Sequence, residues 1–218
     1  MKIEVLDLGT VPYDEGVLAQ ELFLEKRIKG TVGDTVLLLE HTPVLTLGRA
    51  FLPEHIRDRD FFTSRGIEMK ITQRGGGVTY HAPGQLLVYP IVALEGEMRD
   101  VSRFLDILEQ VTMRSLQKIG IPAVRNPERR GVWVFGKKIA FTGIKLRKWV
   151  TSHGVAVNIN NEIYPFEMID PCGEPDIQVT SAREITGKKL NMPDVKRVFS
   201  ECFSSMLEKE SLYAGKNA

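Results

Sequence analysis

Cysteine is scarce in this chain, with Cys172 and Cys202 the only two among 218 residues. Two thiols make no disulfide framework, and a reducing compartment keeps both free. An excess of charge is also missing: 29 Lys and Arg against 28 Asp and Glu leave a net +1. Such a balance gives no global attraction for nucleic acid, and no nucleic-acid partner is expected. No apolar run approaches the roughly 20 residues needed to cross a bilayer, so no membrane partner is expected either. The opening M-K-I-E-V-L-D-L-G carries acids where a signal peptide would have an unbroken apolar core. The expected location is therefore the cytoplasm, or an equivalent compartment if a leader was removed. His41, His55, His81 and His153 are widely spaced and no Cys/His cluster has ligand spacing, which argues against a metal site. There is no G-x-S-x-G elbow for a serine nucleophile. The run from Gly131 to Lys138 begins like a phosphate-binding loop. However, it has Lys138 where Ser or Thr must hold magnesium, and strand formers between its glycines. Internal repeats, low-complexity tracts and linkers are absent as well.

What is present is an ordinary globular composition, 43% hydrophobic and 26% charged, long enough for one domain with a substantial core. Residues 2 to 8 alternate like a strand. Residues 12–29 read as a helix capped by Asp14, with Leu18, Ala19, Leu22 and Phe23 on one face and Gly30 as the stop. Residues 35–39 form a continuous apolar run, as in a strand covered on both faces, and residues 44–47 resume it after a break at Pro43. A short helix and loop over 53–65 precede a strand over 67–72. Asp100 or Ser102 caps the clearest helix, whose stripe is Val101, Phe104, Leu105, Leu108, Val111 and Ile119. Strand-like runs follow at 132–135, 138–146 and 150–159, then an ordered loop over 166–180. A last helix over 193–210 has Val195, Val198, Phe203, Met206 and Leu207 inward. The pattern predicts an α+β fold: a single domain over residues 1–218 with mixed β-sheets flanked by helices.

The densest stretch for chemistry is Q-R-G-G-G-V-T-Y-H-A-P-G-Q-L-L-V-Y-P, residues 73–90. Three adjacent glycines are costly to order and suit a backbone that must approach a ligand or another strand. Ala82 precedes a proline and is expected to be extended. The stretch reads as a glycine-rich lead-in, a strand, a turn and a second strand, with Arg74, Tyr80, His81 and Gln85 around one concave patch. A plain hairpin with a glycine bulge is the competing reading. Pro171-Cys172-Gly173 holds a cysteine in a turn that presents sulfur to a cleft, although a buried structural thiol is the alternative. Cys202, among Phe203 and Met206, reads as a small hydrophobe. A thiol of ordinary pKa, about 8.5, needs help to act as a nucleophile, and a nearby lysine supplies it. Lys137, Lys138 and Lys145 are the candidates, and position alone does not choose among them. From Arg125 to Lys148 eight basic residues face a single acid, Glu128. That run is either a dock for an acidic partner or a solvated face balanced elsewhere.

Taken together, H-T-P-V-L-T-L-G-R from His41, R-G-G-G-V-T-Y-H-A-P-G-Q, G-V-W-V, K-I-A-F-T-G, S-H-G-V-A-V-N, D-P-C-G and V-T-S, in that order, resemble the octanoyltransferases of lipoate biosynthesis. These belong to the biotin/lipoate protein ligase superfamily, and the resemblance covers nearly the whole chain. It implies transfer of an octanoyl group from octanoyl acyl carrier protein to a lysine of lipoyl domains, with no cofactor and no ATP. The acceptors it implies are the lipoyl domains of 2-oxoacid dehydrogenase complexes and the glycine cleavage H protein. It makes Cys172 the acyl-thioester nucleophile and Lys138, which opens K-I-A-x-x-G, the catalytic lysine. Acyl-substrate contacts are implied at Arg74, Gly75, Gly76, Gly77, Val78, Thr79, Tyr80 and His81, at Phe141, Thr142 and Gly143, and at Gly154, Val155 and Ala156. Tyr80, His81 and amides near Gly143 or Gly154 are the implied oxyanion partners. Two positions depart from the family pattern: Gly77 replaces a polar or charged residue, and Ala82 replaces a glycine. The alternatives are an ATP-dependent lipoate protein ligase on the same fold, or a non-catalytic module that binds acyl groups or lipoyl domains.

Overall fold

The computed structural model describes residues 3–214. Residue 2, at the start of the first expected strand, lies outside them. The chain forms β1 (Glu4–Val11), α1 (Tyr13–Ile28), β2 (Thr35–His41), β3 (Val44–Leu47), α2 (Arg59–Thr63), β4 (Glu68–Ile71), β5 (Val78–His81) and β6 (Gln85–Ile91). It continues through α3 (Val101–Lys118), β7 (Val124–Arg125), β8 (Val132–Val134), β9 (Lys137–Arg147), β10 (Val150–Asn158), α4 (Ala182–Thr186) and α5 (Met192–Ala214). Seven strands make a mixed sheet in the order β1-β2-β6-β10-β9-β8-β7, and three make a smaller one, β4-β3-β5. The fold is thus α+β, with mixed sheets flanked by helices, as the element pattern predicts.

Strand alternation sets the layers. Val36 and Leu38 of β2, with Leu86 and Val88 of β6, face a core formed with α3 and α5. Leu37 and Leu39, with Leu87, Tyr89 and Ile91, face a second core shared with the small sheet and α1. Side chains two apart share a face, so a continuous apolar run is what a doubly covered strand requires. The 73–90 stretch is a strand, a turn and a strand, but not a hairpin. β5 pairs with β3, whereas β6 pairs with β2 and β10, so the Ala82–Gly84 turn carries the chain from one sheet to the other. Gly84 is fixed there by its N–H donating to Glu40 Oε2 at 2.8 Å and its carbonyl accepting from Asn160 N–H at 2.8 Å.

α3 follows its sequence pattern. Asp100 caps it by accepting from Arg103 N–H at 3.1 Å, and Phe104, Leu108 and Val111 are buried; Val101 is exposed. α1 does not. Leu18 and Leu22 are exposed, and the buried positions are Tyr13, Gly16, Gln20 and Leu24, while Ala19 and Phe23 are only partly covered. The surface beneath α1 is polar, which is why apolarity misassigns its inner face. Gln20 Oε1 accepts from His153 N–H at 2.6 Å, and a Cβ on Gly16 would sit 2.5 Å from the His41 ring. Asp14 is no cap: it pairs with Lys70 at 2.8 Å. The basic run from Arg125 is neutralised by acids of other elements. Arg125 and Arg130 meet Asp106 and Glu109 of α3, Arg129 meets Glu174, and Lys145 and Arg147 meet Glu21 of α1. Of the two readings of this run, the ion pairs favour the balanced face.

Three of the four histidines, though distant in sequence, converge where α1 and the two sheets meet. His41 hydrogen-bonds Val11 O (3.2 Å) and Tyr89 OH (3.1 Å), and its ring lies 5.2 Å from Tyr13 and 5.7 Å from His81. His153 packs edge-on to Tyr89. Burial disfavours the charged imidazole: it holds His41 down to about 4 and His153 to about 3, and drives His81 well below the usual 6.5. The sign follows from proton counts. The unfolded chain binds protons at these positions near pH 6.5 and the folded one does not, so their stability contribution is complete above 6.5 and drains as pH falls toward about 4 and about 3. Each histidine then removes up to about 1.4 kcal/mol per pH unit in that window. Thermal unfolding midpoints are expected to fall steadily on acidification from about pH 7 to about pH 5. A folded His153→Gln variant is expected to show a shallower decline, measured by calorimetry across the same buffers.

Candidate active site

Lys138 enters the site from the second residue of β9. Its backbone is locked to the segment after the cysteine loop: Lys138 N–H donates to Gln178 O at 2.8 Å, and Thr180 N–H donates to Lys138 O at 3.0 Å. Its side chain is buried, with Nζ 5.3 Å from the ring centres of both Trp133 and Phe141. There Nζ donates to Cys172 Sγ at 3.7 Å. Gly131 makes room for it, since a Cβ at that position would stand 2.6 Å from Lys138 Cε and 2.6 Å from Ala140 O. The amide of Gly131 is held in turn by buried Glu109, whose Oε1 accepts from it at 2.7 Å. Of the other two lysines, Lys137 is exposed and Lys145 pairs with Glu21 at 3.2 Å.

Cys172 lies at the centre of the short turn Pro171–Gly173 with φ of 63°, in the left-handed region. A non-glycine residue there costs on the order of 1 kcal/mol and persists where its surroundings over-determine it. The glycine run supplies part of that support: a Cβ on Gly77 would lie 3.1 Å from the Cys172 carbonyl carbon and from Gly173 N. A side chain at position 77 would press on the Cys172 turn, and glycine removes it.

One cleft collects Arg74, Gly76, Thr79, His81, Phe141, Thr142, Gly143, Gly154, Val155, Ala156 and Cys172. Among the expected contact residues, Gly75, Gly77, Val78 and Tyr80 do not line it. The alternation of β5 is the reason: Thr79 and His81 face the cleft, so Val78 and Tyr80 lie on the other face of β5, where Tyr80 packs against Phe62 and Phe166. His81 is also committed, with its ring nitrogens engaged by Thr46 Oγ1 (3.2 Å) and Gln85 Oε1 (2.6 Å). Gln85 is buried scaffold, donating to Tyr80 O and Asn158 Oδ1. Sequence reasoning missed Tyr13, Leu87, Tyr89 and His153, which complete the lining. A period-two reading of β6 would have found Leu87 and Tyr89 together; nothing in the sequence points to Tyr13.

Arg74 is the cleft's cation. Its guanidinium donates to Thr46 O (2.9 Å), Thr46 Oγ1 (2.8 Å) and Gly75 O (3.1 Å), and Nε is buried with no partner among the described residues. Desolvation lowers its pKa and the charge of Cys172 acts the other way. The phenols of Tyr13 and Tyr89 are pushed up by burial and stay neutral. The interior beyond Cys172 is thus a mixture of apolar side chains, uncharged rings and glycine backbone. Gly143 and Gly154 are partners in the β9–β10 ladder and allow close backbone approach: a Cβ on Gly143 would stand 3.1 Å from Gly75 O and one on Gly154 2.3 Å from Val88 O.

Comparison with known proteins agrees with this geometry. Residues 12–204 match the family described as lipoyl protein ligase A/B catalytic domain. The octanoyltransferase of Geobacter metallireducens is 38% identical over 94% of this chain and 93% of its own length. That of Caldicellulosiruptor bescii is 40% identical over 99% and 96%. That of Myxococcus xanthus is 40% identical over 97% of this chain, which spans 61% of that longer protein. Among solved structures, the bi-partite lipoate protein ligase of Thermoplasma acidophilum superposes with a TM-score of 0.75 at 18% identity, covering 95% of this chain and 84% of that one. The biotin protein ligase of Aquifex aeolicus superposes at 0.61 and 19%, covering 94% and 71%. At those identities the two structures speak to the fold alone. The sequence relatives go further: the chain belongs to the lipoyl protein ligase A/B catalytic family and, within it, to the octanoyltransferases.

Proposed function

We propose that this enzyme moves an octanoyl group from octanoyl acyl carrier protein to a lysine of a lipoyl domain through a thioester on Cys172, the first step of protein lipoylation. The supporting observation is the 3.7 Å approach of Lys138 Nζ to Cys172 Sγ beside a cleft that is mostly apolar and carries one guanidinium, that of Arg74. The cysteine–lysine pair holds one proton between them. In the first half-reaction Cys172 Sγ bonds to the acyl carbon, the bond to the carrier's phosphopantetheine sulfur breaks, and Lys138 gives the leaving thiolate the shared proton. In the second, the acceptor amine bonds to the same carbon, Cys172 leaves as thiolate, and Lys138 takes the surplus proton from nitrogen. One thioester is exchanged for another and then for an amide, so the sequence runs downhill without ATP.

Arg74 supports both steps. A guanidinium with an unpaired N–H, in a slot with no carboxylate partner for it among the described residues, stabilises the oxyanion that develops on the acyl oxygen. Tyr80 and His81 do not share this role, since one faces away and the other spends both ring nitrogens on neighbours. The neutral rings behind Cys172 favour an alkyl chain over a charged one. The acceptors in this reading are lipoyl domains of 2-oxoacid dehydrogenase complexes and the glycine cleavage H protein, and the setting is the cytoplasm.

Intact mass after mixing with octanoyl acyl carrier protein, without ATP, tests the reading. The wild type is expected to gain one hydroxylamine-labile octanoyl group, and Cys172→Ser none. Use of free octanoate with ATP, undiminished in Cys172→Ser, would replace this mechanism by that of an adenylate-forming ligase. Gly131→Ala is expected to push Lys138 off the sulfur and slow octanoyl transfer by about tenfold or more while the protein stays folded, as stopped-time assays with circular dichroism would show.

A further inference from the structure

The nucleophile turn lies between two acids, in the order Asp170-Pro171-Cys172-Gly173-Glu174. Each acid meets an arginine from a different part of the chain. Arg57, between β3 and α2, donates from Nε to Asp170 Oδ1 at 2.6 Å and from Nη2 to Pro175 O at 2.5 Å. One guanidinium therefore ties together the two ends of the arc that displays Cys172. The backbone beside it is joined to the same arc: Arg57 N–H donates to Met168 O at 2.9 Å, Asp170 N–H donates to His55 O at 2.8 Å, and Ile56 bridges Ile169. The His55 ring covers Gly173 so closely that a Cβ there would stand 2.8 Å from Cε1. On the other shoulder Arg129 reaches Glu174 at 3.6 Å, with both side chains well exposed. That contact is a single long ion pair in water and holds little.

We infer that Arg57 is a positioning residue for the nucleophile, fixing the arc from Asp170 to Pro175 so that Cys172 keeps its left-handed conformation and its sulfur stays on Lys138. Arg57 belongs to no catalytic step and does not line the acyl cleft. Its fork geometry is what the task needs, because a planar guanidinium satisfies a carboxylate and a carbonyl at once, whereas an ammonium on a flexible stem fixes neither direction. The inference rests on the proposed role of Cys172 and Lys138, but its primary readout does not require octanoyl transfer.

The experiment is a double-mutant cycle. Alkylation of Cys172 by iodoacetamide, followed by peptide mass mapping so that Cys202 is counted separately, is measured in the wild type, Arg57→Ala, Lys138→Met and the double variant. Arg57→Ala is expected to slow alkylation by about tenfold in the wild-type background and by less than about twofold in the Lys138→Met background, because the clamp acts through the lysine contact. Arg57→Lys is expected to fall between wild type and Arg57→Ala, and also serves if the alanine variant is poorly folded. In acyl-enzyme formation from octanoyl acyl carrier protein, the same variant is expected to lower kcat with KM for the carrier held within about twofold. Unchanged alkylation in Arg57→Ala, or an equal slowing in both backgrounds, would overturn the inference. If the alkylation cycle behaves as expected while the wild type forms no acyl adduct, the clamp stands and the proposed transfer mechanism falls.

Discussion

Lys138 Nζ and Cys172 Sγ lie 3.7 Å apart although 34 positions separate them in the chain, and the sulfur is the hydrogen-bond partner of that Nζ. In the proposed mechanism the pair acts as a unit that passes one proton back and forth over two successive acyl transfers. Three separate supports maintain the distance. The backbone of β9 is tied to residues 178–180, Gly131 leaves space for the lysine stem, and the Cys172 turn is pressed between Gly77 and the 55–57 segment. If any support is removed the sulfur and nitrogen drift apart while most of the fold survives.

The two-sheet arrangement explains why a cleft exists at this point. β5 and β6 are consecutive strands assigned to different sheets, and the cleft lies between those sheets, lined by Thr79 and His81 of β5, Leu87 and Tyr89 of β6, and residues of β9 and β10. Apart from Arg74, the residues around that space are uncharged for a common reason. Burial keeps His41, His81 and His153 neutral and the tyrosines protonated, while the acids that flank the sulfur in the chain, Asp170 and Glu174, are engaged by Arg57 and Arg129. A slot of that kind favours an alkyl chain and concentrates its electrostatics where an oxyanion forms.

Much of this was legible in the sequence because it depends on period and punctuation. The doubly covered β2, the α3 stripe with its Asp100 cap, and the strand–turn–strand after the glycines all follow from local patterns. The residues of the cysteine–lysine pair were also readable, although the lysine was chosen by motif and not by spacing. What escaped depends on the partner surface. The inner face of α1 is set by a histidine and a backbone amide beneath it, so Leu18 and Leu22 misled. Tyr80 was assigned to the cleft as part of a motif, but strand alternation turns it to the other face of β5, against Phe62 and Phe166. The basic run read either as a dock or as a face balanced elsewhere, and sequence alone did not decide because the balancing acids lie on α1, on α3 and in the cysteine loop. Histidine spacing in the chain likewise gave no hint that three rings meet.

The claim that the Cys172 thioester is a true intermediate, and not a side product, is tested most directly by its kinetic competence. The octanoyl-enzyme would be isolated free of donor and mixed with a lipoyl domain, and transfer to the acceptor lysine followed by rapid quench and mass spectrometry. The account predicts transfer without ATP, at a rate at least equal to steady-state turnover. An adduct that persists, or that discharges to the acceptor more slowly than the enzyme turns over, would contradict it.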